Sequence, residues 1–166
     1  RQPVVDAAKL AQYRPEFYGG GDLTHEAMRG QSAWSVGDRE LMAAFVSKVN
    51  DTQFCIAAHS ATSGLWYGDR GKVEATLADV ETAPIDEPLR ATLRMLGKLT
   101  REHRVDPEDM RAVLAEGVSP RQIEDALAVC LAFNITDRLA DAFDFSVASP
   151  AAMDAGARYL LKRGYR

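Results

Sequence analysis

The sequence predicts an all-α domain, and three observations carry that expectation. Apolar residues recur at helical spacing in one segment after another. Start signals such as Asp106-Pro107 and Ser119-Pro120-Arg121-Gln122 stand before several of these segments, and no strand pair or Asn-Gly hairpin signal occurs. A single helical bundle of about seven to eight helices over residues 1–166 follows. At 166 residues, 46% hydrophobic and 27% charged, the chain is long enough for one proper core.

Arg1 to Phe17 carries few periodic signals and includes Pro3 and Pro15, so 1–17 reads as an N-terminal arm that packs on a neighbour. Gly19-Gly20-Gly21 reads as a turn, because a phosphate loop needs a preceding strand or a following Lys-Ser/Thr pair. Asp22 to Ala33 reads as a short helix, with His25 exposed or capping. Ser35 can cap the next helix with Asp38 closing a capping box. Leu41, Met42, Phe45, Val46 and Val49 give that helix its apolar row, and Asn50-Asp51 ends it.

A second helix of the pair runs from about Thr52 to Tyr67, and Gly68-Asp69 turns the chain into a helix near Arg70 to Val80. Asp86-Glu87-Pro88 opens another that sets Leu89, Leu93 and Leu96 on one side until His103, which serves the negative helix end. Asp106-Pro107 starts a short helix that Gly117 closes in a left-handed conformation. From Ser119 a long helix is expected to carry Ile123, Leu127, Cys130, Leu131 and Ile135 inward. Ser149-Pro150 opens the last helix, whose Lys162 and Arg163 suit its negative end.

The formal net charge of −4 argues against a nucleic-acid footprint. No run of 18 apolar residues occurs, and RQPVVDAAKL lacks the apolar centre of a signal peptide. Cys55 and Cys130 are too few for a disulfide framework, so a reducing, cytoplasmic setting is expected.

The chemistry concentrates between Glu40 and Ser60. At roughly 100° per residue, Thr52, Cys55, His59, Thr62 and Trp66 fall on one stripe, with His59 one turn after Cys55. Glu40 shares its side with Ala43, Ala44 and Ser47, small enough for a partner helix to approach the carboxylate. Cys55 lies in the first turn of its helix, where the dipole and unpaired N–H groups favour an anion, so its pKa is expected below the free value of about 8.5. His59 can accept the thiol proton and Glu40 can orient the imidazole.

Glu40, position 52, Cys55 and His59 within RELMAAFVSKVNDTQFCIAAHSA resemble the signature of the AhpD-like alkylhydroperoxidase and carboxymuconolactone decarboxylase superfamily. Its peroxidase members carry Glu, then CxxC, then His four residues after the second Cys. Leu127 to Phe143, LAVCLAFNITDRLADAF, resembles the closing helix of the uncharacterised peroxidase-related branch, and the likeness runs from about Tyr18 to Phe143. It implies an AhpD-like helical bundle, a homo-oligomer and an alkylhydroperoxidase-like thiol peroxidase. In that reading Cys55, His59 and Glu40 are catalytic, an organic hydroperoxide is the substrate and an external thiol is the reductant.

One departure stands out: Thr52 replaces the first Cys of the CxxC, so the attacking thiol remains and the resolving one is missing. Thr52 also resembles the Thr of the peroxiredoxin TxxC, a local likeness that covers no fold. It is read as an N-cap bonding the N–H of residue 54 or 55, with a catalytic hydroxyl as the alternative. Asn134 and Arg138 share a helix face and match the family's C-terminal Asn-to-Arg pattern, where Arg138 could support a thiolate or simply join an ion pair.

Cys130 reads as a core thiol that could resolve Cys55 only if their helices pack together. Trp66 and Phe54 read as core or interface. A metal centre with Cys55, His59 and Glu40 would need another ligand or a water site, and no second Cys or His cluster supplies one, so no metal or other cofactor is expected. A cysteine hydrolase would need an oxyanion hole that the sequence does not reveal. The alternatives are a decarboxylase-like enzyme using Glu and His for proton chemistry on a lactone, and a non-catalytic ligand-binding homologue.

Overall fold

The computed structural model describes residues 6–15 and 21–165. Among them every regular element is helical: α1 (Asp6–Tyr13), α2 (Gly21–Arg29), α3 (Val36–Asn50), α4 (Gln53–Tyr67), α5 (Arg70–Ala78), α6 (Glu87–Glu102), α7 (Pro107–Ala115), α8 (Pro120–Ala142) and α9 (Pro150–Arg163). No helix of the described residues is long and apolar enough to cross a membrane.

The expected caps account for most boundaries. Ser35 with Asp38 and Ser119 with Gln122 form reciprocal capping boxes, and Asp86, Asp106 and Ser149 accept from the first turns of α6, α7 and α9. Gly117 has φ 81°, the left-handed conformation expected of it. His103 is the left-handed cap of α6, donating its amide to Leu99.

Helix α3 is the centre of the bundle, packed by α4, α8 and α6. Its Leu41, Met42 and Val46 meet Met28, Leu93, Leu96, Val129 and Phe133 in the main core. Asp51 ends α3 at φ 61°, and the Thr52 amide donates back to the Ser47 carbonyl at 3.0 Å. That tight reversal lays α4 against the Ala43, Ala44 and Ser47 side of α3, as those small residues predicted. A smaller apolar cluster joins Phe54 and Cys55 of α4 to Ala140 and Met153.

Three expectations need correction. The N-terminal arm contains α1, which docks on this same chain: Asp6 Oδ2 accepts the Ser146 amide at 3.0 Å, and Ala7 packs against the smaller cluster. This helix has one acid in its first turn and no buried side chain, so it gives little apolar periodicity. Gly19 and Gly20, with residues 1–5 and 16–18, lie outside the described residues.

The α2 helix ends at Arg29, short of Ala33, because Gly30 stops it. On α8, Leu131 and Ile135 are 53% and 48% exposed instead of inward. The buried stripe runs through Ile123, Ala126, Cys130, Phe133, Asp137 and Ala140, so two alanines and a carboxylate hold positions that an apolarity count does not assign.

Candidate functional site

Glu40 is completely buried, and three donors converge on it. Arg29 Nη2 and the Tyr165 hydroxyl reach Oε1 at 2.6 and 2.9 Å, and His59 Nδ1 meets Oε2 at 2.7 Å. Burial pushes the carboxyl pKa up, but the His59 hydrogen bond and the charge and hydrogen bond of Arg29 more than offset it, holding Glu40 below the usual range. Glu40 is therefore an ionised acceptor, so the His59 proton in this contact sits on Nδ1. The imidazole and Phe133 rings pack edge to face with centroids 4.4 Å apart, and the Tyr165 ring stacks with the imidazole at 6.2 Å. Glu40 and His59, expected to be neighbours, are in direct contact in the structure.

Cys55 presents a different environment. It is 1% exposed, and burial, the negative charge and hydrogen bond of Asp137 and the charge of Asp141 push its thiol pKa strongly up against the hydrogen bond of Ser47. The expected lowering is overturned: desolvation and two nearby acids outweigh the α4 dipole. Asp137 is itself completely buried, accepting from Ser47 Oγ at 2.8 Å and Asn50 Nδ2 at 2.9 Å. Burial raises its pKa, while bonds from Asn50, Ser47 and Cys55 resist that rise. The resting group is a protonated thiol donating toward a carboxylate.

Thr52 stands at the α4 N-cap position but makes no side-chain cap bond. Its hydroxyl instead donates to Asp141 Oδ2 at 2.8 Å. Phe54 packs edge-on against Phe145 in the smaller cluster, whereas Trp66 is 48% exposed.

Asn134 reaches the site through an intermediary. Asn50 Nδ2 donates to Asn134 Oδ1 at 3.3 Å as well as to Asp137, while Asn134 Nδ2 donates to the Cys130 carbonyl at 3.0 Å. Arg138 is exposed and bonds the Asn134 carbonyl and, at 3.1 Å, its Oδ1, which keeps the guanidinium on its own helix. Cys130 is a buried core thiol beside Thr100 and Asn134, and both cysteines are free. Among the described residues no three His, Cys, Asp or Glu side chains are grouped to hold a metal ion.

His25, expected as exposed or capping, accepts the Tyr165 amide at Nδ1. A hollow between α4, α5 and α9 is lined by Ala57, Ser60, Ala61 and Arg70 among others, and a second between α6 and α8 by Leu127, Leu131 and Ile135. Neither is lined by Cys55 or His59.

Sequence reasoning missed Arg29, Tyr165, Asp137 and Asp141. Asp137 had a usable signal, a charged residue one turn after Phe133 on an otherwise apolar stripe. Arg29 and Tyr165 had none, since only the packing of α2 and the turn after α9 brings them to Glu40.

This bundle, with its Glu and His facing across two antiparallel helices, is the fold of AhpD-like proteins. It is similar to an uncharacterised peroxidase-related protein from Silicibacter sp. TM1040, at 27% identity and a TM-score of 0.81 over 88% of this chain and 78% of that one. It is also similar to the alkylhydroperoxidase AhpD core of a peroxidase-related protein from Ralstonia eutropha JMP134, at 20% identity and a TM-score of 0.77 over 90% and 78%. The debrominase Bmp8, solved with 2,3,4-tribromopyrrole, shares the fold at 14% identity and a TM-score of 0.79 over 93% and 83%. No protein-family model matches the chain, and neither does any curated protein. The chain therefore has the AhpD-like fold and is similar to peroxidase-related proteins that share it.

Proposed function

We propose that this chain is a thiol-dependent hydroperoxide reductase in which Cys55 reacts, His59 moves the proton and Glu40 orients His59. The observation that carries the reading is the 2.7 Å contact of buried Glu40 with His59 Nδ1, one helical turn after Cys55. With Nδ1 engaged, Nε2 is the nitrogen that serves proton transfer.

The step balances without a cofactor. Cys55 Sγ attacks an oxygen of the organic hydroperoxide, an S–O bond forms and the O–O bond breaks. Sulfur is oxidised to the sulfenic acid and the hydroperoxide is reduced to the alcohol. The thiol proton passes to His59 Nε2 and on to the departing alkoxide. One external thiol then condenses with the sulfenic acid, releasing water, and a second restores Cys55 and leaves as a disulfide. Thr52 and Asn134 act as supports here, Thr52 by holding Asp141 and Asn134 by holding Asn50.

A homo-oligomer is part of the proposal, supported by the exposed Leu131 and Ile135 beside Leu127 on α8. The free state of both cysteines suits a reducing, cytoplasmic setting.

One observation favours a second reading. Cys55 is held as a thiol, while Glu40 and His59 are fully assembled without it. That arrangement suits decarboxylase-like proton chemistry on a lactone. Turnover of an organic hydroperoxide with a dithiol, and separately of a lactone, compared in Cys55→Ser and His59→Ala, separates the two. The peroxidase reading requires both variants to be inactive, whereas lactone chemistry survives Cys55→Ser and fails only in His59→Ala.

A further inference from the structure

The turn after α9 carries a tyrosine into the middle of the site. Gly164 adopts φ 71°, and a Cβ there would meet the His25 ring at 2.6 Å, so this position suits only glycine. His25 Nδ1 accepts the Tyr165 amide at 3.3 Å, fastening the turn to α2. The Tyr165 ring then lies with the Arg29 guanidinium 5.1 Å from its centroid, and its hydroxyl is 2.9 Å from Glu40 Oε1 and 3.3 Å from His59 Nδ1.

The hydroxyl has one hydrogen to give. Glu40 is an ionised acceptor and His59 Nδ1 already donates to it, so the tyrosine proton points at Oε1. Arg29 Nη2 shares that oxygen at 2.6 Å, leaving Oε2 to the imidazole. Without the tyrosine donor, Arg29 alone holds Oε1, the carboxylate can turn, and the 2.7 Å contact that keeps the His59 proton on Nδ1 loosens.

We propose that Tyr165 is a positioning residue, fixing the Glu40 carboxylate so that His59 keeps its proton on Nδ1 and presents Nε2 to the reacting groups. The inference rests on the role given to His59 above, but its first readout does not depend on any substrate.

The test compares wild type with Tyr165→Phe, which keeps the ring and removes the hydroxyl. Heteronuclear NMR of the His59 ring, assigned with His59→Gln, reports the tautomer, and trapping of sulfenic acid with cumene hydroperoxide reports the rate. The expected result is a single Nδ1–H tautomer in wild type, mixed tautomers in the variant and a rate lower by about 3- to 10-fold, the worth of one hydrogen bond. His25→Ala, which loosens the turn and leaves the hydroxyl in the chain, is expected to shift the tautomer the same way and guards against a Phe variant that does not fold. An unchanged tautomer in both variants overturns the inference. If wild type forms no sulfenic acid, the hydroperoxidase reading falls while the tautomer still decides the role of Tyr165.

Discussion

The Glu40 carboxylate and the His59 imidazole lie 2.7 Å apart on adjacent helices, with Glu40 wholly buried and His59 5% exposed. A buried carboxylate survives only with full compensation, and Arg29 and Tyr165 complete it. Removing Glu40 therefore strands its partners. Glu40→Ala leaves the Arg29 guanidinium buried without its partner and is expected to cost about 3–5 kcal/mol in urea unfolding. A loss within the range of ordinary surface substitutions would contradict the geometry.

The same group sets a pH dependence. The folded-state pKa of Glu40 is depressed, so its contribution to stability is present above the unfolded value and is lost as pH falls through the folded one. Thermal unfolding followed downward from pH 7 should show a decline below about pH 4.5 that Glu40→Gln reduces. Parallel curves for the two proteins would show that Glu40 is not depressed.

Asp137 acts in the opposite sense. Its folded-state pKa is raised, so the ionised carboxylate costs stability at neutral pH, and that cost disappears as pH falls through its folded value. Replacing it with Asn removes the charge that, after burial, most disfavours the Cys55 thiolate. Asp137→Asn should speed alkylation of Cys55 at pH 8 by roughly tenfold, one pKa unit. A slower reaction would mean that Asp137 works as the base for the thiol.

Thr52→Val removes the hydroxyl bond to Asp141 and should cost about 1 kcal/mol, with the α4 boundary unchanged because no cap bond is lost. Equilibrium unfolding and amide exchange of residues 53–55 check the two halves separately. Premature exchange of those amides would restore the capping role that the sequence led one to expect.

Leu131→Glu and Ile135→Glu introduce charge on an exposed apolar strip of α8 without disturbing the core. Light scattering should show dissociation of a wild-type assembly and each variant should unfold within about 0.5 kcal/mol of wild type. A wild-type monomer, or variants that remain assembled, would remove this face from the proposal.

Much of the fold was legible because its boundaries are local chemistry: Ser35 with Asp38, Asp106 before Pro107 and Ser119 with Gln122 each specify a helix start within four residues. Glu40 facing His59 was legible for a similar reason, since the small residues of α3 and the Asn50-Asp51 break dictate how α3 and α4 meet. Cys55 was misjudged because its state depends on Asp137 and Asp141, more than 80 residues away on α8. Tyr165 was invisible because its place depends on the Gly164 turn and the His25 bond, neither of which has a periodic signature.

The most direct measurement is the trapping of sulfenic acid at Cys55 after one equivalent of an organic hydroperoxide, followed across pH in wild type and His59→Ala. The account predicts sulfenic acid at Cys55 in wild type, formed with a pH dependence that disappears with His59, and a rate at least about tenfold lower in the variant. A thiol that stays unoxidised, or oxidises equally fast without His59, would contradict it.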